Sequence, residues 1–320
     1  MSDTAALSSA LLSGRYRALA KAISLVERDD PAAPRLLAEI YPATGQARII
    51  GITGSPGSGK STLVAALARH YRAHSKRVGI IAVDPTSPFT GGAILGDRIR
   101  MADLYTDRGV FIRSMATRGF LGGLARATND VVDVLDASGF DIVLVETVGV
   151  GQDEIEVVRT VQTNLVVLVP GMGDDIQAIK AGIMEIADVF VINKADREGV
   201  ERVERELHVL LTMAGGSPAW VPPVVKTVAP RGEGVPDLLS AVEGHRAFLK
   251  SGAGAGERLR LKHSQKFRDL LAERFLMELS ARHLTPEREE ALLSSIVRRE
   301  ADPYSAAEEI LGRIRWEGKP

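Results

Sequence analysis

Cysteine is absent from all 320 residues, which excludes disulfides, thiolate metal sites and a cysteine nucleophile. Excess charge of either sign is missing as well. The chain carries 40 Lys and Arg against 41 Asp and Glu, a formal net charge of -1, so no basic field argues for a nucleic-acid or anionic-membrane partner. No run approaches the ~18 apolar residues that a membrane span needs. The N-terminal stretch lacks a signal-peptide pattern, because Asp3 comes early and no uninterrupted apolar run follows. It also lacks the Arg-rich, acid-poor bias of a transit peptide. Internal repeats and low-complexity tracts are not found. Together these absences predict a cytoplasmic protein with no nucleic-acid and no membrane partner. What is present is ordinary globular usage, 45% hydrophobic and 25% charged, in a chain long enough for one large α/β core with a smaller attachment.

The pattern along the chain divides it into residues 1–45, 46–250 and 251–320. In the first part Leu7, Leu11, Leu19, Ile23 and Val26 share one helical face, which predicts a helix over residues 5–27 ended by Asp29, Asp30 and Pro31. A shorter helix follows over 32–40. From residue 47 to about 249, short β-branched apolar runs alternate with amphipathic helices. The runs are ARIIGIT, VGIIAV, VFIRSM, DIVLVE, LVVLV, VFVIN and PVVKT. They are continuous rather than alternating, as strands covered on both faces should be, and the alternation with helices predicts a mainly parallel sheet. The linker SGAGAGE (251–257) precedes three helical patterns, over 258–280, 286–299 and 303–315. Thr285 and Pro286 mark the start of the second.

Gly54-Ser55-Pro56-Gly57-Ser58-Gly59-Lys60-Ser61 matches G-x-x-x-x-G-K-[ST], following an apolar run and opening a helix, as the phosphate-binding loop requires. Glycines let the backbone wrap so that several N–H groups converge on one anion, and the helix N-terminus adds positive partial charge. Lys60 supplies an ammonium to the β and γ phosphates, and the Ser61 hydroxyl is suited to one position on magnesium. Further on, Asn193-Lys194-Ala195-Asp196 ends the run VFVIN. The Asp196 carboxylate pairs with guanine N1–H and the 2-amino group, whereas adenine would set a lone pair against it, so GTP is expected over ATP. Asn193 braces neighbouring loops and the Lys194 stem covers the base. The backbone of Thr227-Val228-Ala229 is a candidate for guanine O6.

Two acids close other strands. Asp84 ends VGIIAVD and Glu146 ends DIVLVE; both are magnesium candidates, and Gly149, three residues after Glu146, fits a switch whose N–H swings onto the γ-phosphate. The long loop DPTSPFTGGAILGDRIRM adds Asp97 as a further magnesium candidate and Arg98 and Arg100 as charge stabilisers, alongside Arg113 and Arg118. A second glycine-bearing loop, PGMGDDIQAIKAG (170–182), reads as another mobile segment.

GITGSPGSGKST, VDPTSPFTGGAILGDRIRM, ETVGVGQ and INKAD occur in one order, and in that order they resemble the MeaB/ArgK family of GTPases, which includes the methylmalonic aciduria type A protein. The resemblance runs from about Leu11 through the C-terminal helices. It implies a SIMIBI-class P-loop fold and a homodimer held by the C-terminal helical arm. It also implies slow GTP hydrolysis that a methylmalonyl-CoA mutase accelerates. Adenosylcobalamin would reside on that mutase, delivered by a cobalamin adenosyltransferase under the gating of the GTPase, which also protects or reactivates the mutase. By motif position residues 54–62, through Thr62, carry the phosphates; Ser61, Asp84, Asp97 and Glu146 fall on magnesium and switch positions; Asn193, Lys194 and Asp196 hold the base; and 170–182 is a mutase-contacting switch. Asp153 stands where many relatives are expected to have Ser. An older family label, arginine/ornithine transport kinase, finds no membrane segment to support it. The alternatives are a P-loop small-molecule kinase and a metal-inserting GTPase of the hydrogenase or urease type. His70 and His74 lie four residues apart and could hold a metal, but with no cysteine and no His-rich tract a helix-surface pair is the better reading.

Overall fold

All seven apolar runs are strands of one parallel sheet in the computed structural model, which describes residues 3–84, 101, 103–116, 123–147, 161–171, 186–213, 220–251 and 255–312. The strands are β1 (Arg48–Gly54), β2 (Val78–Asp84), β3 (Val110–Ala116), β4 (Ile142–Thr147), β5 (Thr163–Leu168), β6 (Val189–Asn193) and β7 (Val224–Thr227). They lie in the order β3-β2-β4-β1-β5-β6-β7, and every pairing is parallel. Alternate residues of a strand enter different cores. Ile49, Ile81, Val83, Val143 and Val145 face one apolar cluster, while Ile50, Ile52, Ile80 and Leu144 face the other. A strand buried on both faces has no polar phase to show, which is why these runs are continuous in the sequence.

Helices α1 (Asp3–Leu12), α2 (Tyr16–Glu27) and α3 (Ala33–Ile40) precede the sheet, and α4 (Lys60–Ala73), α5 (Gly123–Ala137), α6 (Val200–Met213) and α7 (Val235–Lys250) connect or follow its strands. α4 and α7 cover one face through Leu63, Leu67, Leu238 and Val242. The other face is covered by α5, with α1–α3 joining the same cluster through Leu11, Ile23, Leu36 and Ile40. α6 packs Val200 and Leu207 against Phe190 and Ile192 of β6. This is the three-layer P-loop α/β architecture that the alternation of strands and helices predicts.

The single helix expected over 5–27 is two. α1 stops because Gly14 adopts φ 73 and its N–H donates to Leu11 O at 2.8 Å, while Arg15 N–H reaches back to Ala10 O at 3.2 Å. A left-handed glycine just past a helix end satisfies the last carbonyls and turns the chain, so that α1 and α2 both lay their apolar faces on the core. The extension is then stapled to α5. Asp136, 4% exposed, accepts from the N–H groups of Gly45, Gln46 and Ala47 at 2.5, 3.1 and 2.8 Å. Glu27 at the end of α2 takes Arg113 Nε of β3 at 2.7 Å.

The chain separates into two units, Met1–Ala255 and Gly256–Pro320. The second holds most of α8 (Ala255–His283), with α9 (Pro286–Val297) and α10 (Pro303–Leu311). Thr285 sits at the N-cap of α9 in extended geometry, with Pro286 next, but its side chain makes no capping bond. The cap that does form is Asp302 on α10, which accepts from Tyr304 and Ser305 N–H at 2.9 and 3.0 Å. Among the described residues no helix is long and apolar enough to cross a membrane.

Candidate functional site

Parallel strands bring all their carboxyl ends to one rim, and the motif residues sit there. Gly54 ends β1, Asp84 ends β2, Glu146 and Thr147 end β4, Asn193 ends β6 and Thr227 ends β7. Such a rim is where open α/β sheets bind ligands. Glu146 stands level with Ile52 of β1 on one side and Ala82 of β2 on the other.

The loop after β1 wraps into the N-terminus of α4. Gly59 occupies the N-cap at φ 91, a region closed to most side chains, and a Cβ placed there would lie 2.5 Å from Asn193 Nδ2. Lys60 is buried, its ammonium donating to Gly54 O at 2.7 Å and Ser55 O at 2.9 Å. Its positive charge is thereby fixed inside the loop. Ser61 Oγ donates to Glu146 Oε1 at 2.6 Å, and both side chains are buried. A hydroxyl beside a carboxylate at the end of a buried strand is a hard oxygen donor set, and its chemistry fits magnesium.

The base motif is joined directly to the phosphate loop. The buried amide of Asn193 donates from Nδ2 to Ser58 O at 2.9 Å, and its Oδ1 accepts from Thr227 Oγ1 at 3.1 Å and Ala229 N–H at 3.3 Å. One side chain thus ties the loop after β1 and the loop after β7 to the end of β6. Lys194 adopts φ 57, unusual for a residue with a side chain, and its Nζ donates to Gly57 O at 2.7 Å. Asp196 is exposed at the edge of this assembly, within 3.4 Å of Arg231 Nη1.

Of the residues singled out in the sequence, the structure brings together 54–62, Glu146, Asn193, Lys194, Asp196 and 227–229. The Val228 N–H donates to Glu233 O at 3.0 Å and the Ala229 N–H to Asn193 Oδ1, so two of the three amides expected near guanine O6 are engaged within the protein. Asp84 is placed at the end of β2, with its side chain outside the described residues. Asp97, Gly149, Arg98, Arg100, Arg118 and all of 170–182 except Pro170 and Gly171 also lie outside them. Arg113 is committed to Glu27, whose hydrogen bond raises its pKa further. His70 and His74 stack at 4.6 Å on the exposed end of α4, and His74 Nδ1 contacts His70 O. Arg231 belongs to no motif in the sequence. Its relation to Asp196 spans 35 residues and exists only once β6 and β7 are side by side.

The chain is similar to known proteins. The model of the family described as Methylmalonyl Co-A mutase-associated GTPase MeaB matches residues 19–283. The GTPase ArgK of Escherichia coli is 39% identical over 243 residues, 72% of each chain. The mouse methylmalonic aciduria type A homolog is 35% identical over 267 residues, 78% of this chain and 64% of its own. The solved structure of an LAO/AO transport system kinase superposes with a TM-score of 0.73 at 26% identity, covering 97% of this chain and 96% of that one. On the P-loop fold, the motifs at its rim and these matches, the chain belongs to the MeaB family of methylmalonyl-CoA mutase-associated GTPases.

Proposed function

We propose that this GTPase binds a methylmalonyl-CoA mutase, gates the loading of adenosylcobalamin onto it, and protects or reactivates it in the cytoplasm. A cobalamin adenosyltransferase is the second partner in this reading, and the cobalamin resides on the mutase. The family match over 19–283 carries the proposal. The physical support is the Asn193 amide, which links the phosphate loop to the base motif so that a guanine nucleotide engages both at once.

In the hydrolysis reaction a water oxygen attacks the γ-phosphorus, the bond to the β-phosphate oxygen breaks, and GDP and inorganic phosphate leave. The chain contributes positioning and charge rather than covalent chemistry. Backbone N–H groups of 54–62 cradle the phosphates, and the Lys60 ammonium spreads its charge over the β and γ oxygens. Asp196 selects guanine, with the Lys194 stem against the base. Ser61 and Glu146 would hold magnesium, with Asp84 and Asp97 as further candidates. When bound, the ion neutralises charge building on the bridging and terminal oxygens. Gly149 and the loops 84–100 and 170–182 are the proposed switches, ordered by the γ-phosphate and released after hydrolysis. Slow intrinsic turnover is raised by the mutase. The proposed division of labour is a helical extension (1–45), a GTPase core (46–250) and a C-terminal homodimerisation segment (251–320).

The test is a GTPase assay with and without the mutase of the same host, together with co-elution of the two proteins. The expected result is nucleotide-dependent co-elution and a rise in rate of tenfold or more, both lost in Lys60→Ala. A mutase that neither co-elutes nor changes the rate, with GTP binding intact, would sink the partner assignment while leaving the GTPase in place.

A further inference from the structure

We propose that Arg231 is a guanine-specificity residue, its guanidinium donating to O6 of the base whose N1–H and 2-amino group Asp196 accepts; this rests on the assignment of Asp196 as the base-reading carboxylate. The loop after β7 is held in one shape. Val228 N–H donates to Glu233 O at 3.0 Å, Arg231 N–H to Val228 O at 3.0 Å and Gly232 N–H to Ala229 O at 3.2 Å. At its tip Glu233 grips Arg231 from the side, with Nε to Oε1 at 2.6 Å and Nη2 to Oε2 at 3.2 Å. Arg231 Nη1 then reaches Asp196 Oδ2 at 3.4 Å. A guanidinium has five N–H donors in a rigid plane. These contacts use three of them and leave one hydrogen on each Nη.

Two facts favour that pair of hydrogens as the donor set beside Asp196. The amides of Val228 and Ala229 are already engaged, by Glu233 O and Asn193 Oδ1. Pro230 has no N–H to offer. Both Arg231 and Asp196 are open to a ligand, with side chains 53% and 42% exposed. A carboxylate and a guanidinium side by side present acceptor next to donor. Guanine presents the complement along one edge, with N1–H and the 2-amino group beside the O6 acceptor. Adenine presents a lone pair at N1 and an amino group at C6, so it meets the carboxylate and the guanidinium with the wrong sign at both places. Arginine donating to O6 is a favoured pairing in base recognition generally.

The experiment measures dissociation constants of the full chain by displacement of a fluorescent GDP, using GTP, inosine triphosphate (no 2-amino group), 6-thioguanosine triphosphate (a weak acceptor at C6) and xanthosine triphosphate. Arg231→Ala should weaken GTP and inosine triphosphate together by about tenfold or more. It should barely change 6-thioguanosine triphosphate, so that the preference for oxygen at C6 disappears. Arg231→Lys should restore part of that preference. Equal loss for GTP and the thio analogue, or no loss of GTP, overturns the proposal. Asp196→Asn separates the two levels of the argument. If it shifts preference toward xanthosine triphosphate while Arg231→Ala is silent, only the arginine assignment fails. If Asp196→Asn leaves all four constants unchanged, the base-reading assignment fails and the proposal with it.

Discussion

Tyr71 shows how a single residue registers its surroundings. It lies on α4 with 7% of its surface exposed, and burial pushes its phenol up to about 12, a shift that the neighbouring Arg48 partly offsets. The folded state therefore holds the neutral phenol above the pH at which an unfolded tyrosine, near 10, begins to ionise. Its contribution is fully present below pH 10 and is lost as the pH rises from 10 towards 12. The expected loss is about 2 kcal/mol across that window. Urea unfolding at pH 8 to 11.5 should show it, and Tyr71→Phe should flatten the slope. An unchanged slope in Tyr71→Phe would place the alkaline sensitivity elsewhere. Asn193 illustrates the opposite case, a side chain whose partners are invisible locally. Its position in the N-K-x-D motif was legible, and so was its bracing role, but its three partners lie on segments far away in sequence.

At the scale of elements, the N-terminal helices are the clearest dependency. Leu36 on α3 and Ile23 on α2 are fully buried in the cluster that also holds Val131 and Leu135 of α5 and Val143 and Val145 of β4. Leu36→Ala should cost about 2–5 kcal/mol, since it removes transfer energy and leaves a cavity. Chemical denaturation would measure it, and a loss well below 1 kcal/mol would mean that the extension is loosely held. The strands were readable because burial on both faces makes them uniformly apolar, and the rim followed from their parallel order. Leu7, Leu11, Leu19, Ile23 and Val26, expected on one face of a single helix, are all buried but on two helices. The break at Gly14 was not read, because the apolar spacing continues across it and masks the turn. Arg231 escaped for a different reason. An arginine in a loop carries no periodicity, and only the approach of the loop after β7 to the loop after β6 gives it a neighbour. Thr285 has the residue type and the extended backbone of a cap, yet its side chain makes no capping bond, whereas Asp302 accepts from two N–H groups.

For the whole molecule, the C-terminal unit bears on assembly. On α8, Phe267, Leu271, Leu276 and Met277 are 65%, 57%, 60% and 54% exposed. A long helix with this much open apolar surface is suited to self-association. Light scattering should give the mass of two chains, and the pair Phe267→Asp and Leu271→Asp should reduce it to one with nucleotide affinity retained. A monomeric wild-type chain at micromolar concentration would refute the dimer. The Asn193 amide has a further consequence for how such a molecule can change over generations. Because it ties the loops after β1 and β7 to the end of β6, none of the three can drift in length or shape by itself. A segment grafted from a distant relative would arrive without its counterparts, and the graft would succeed only if all three were transplanted together.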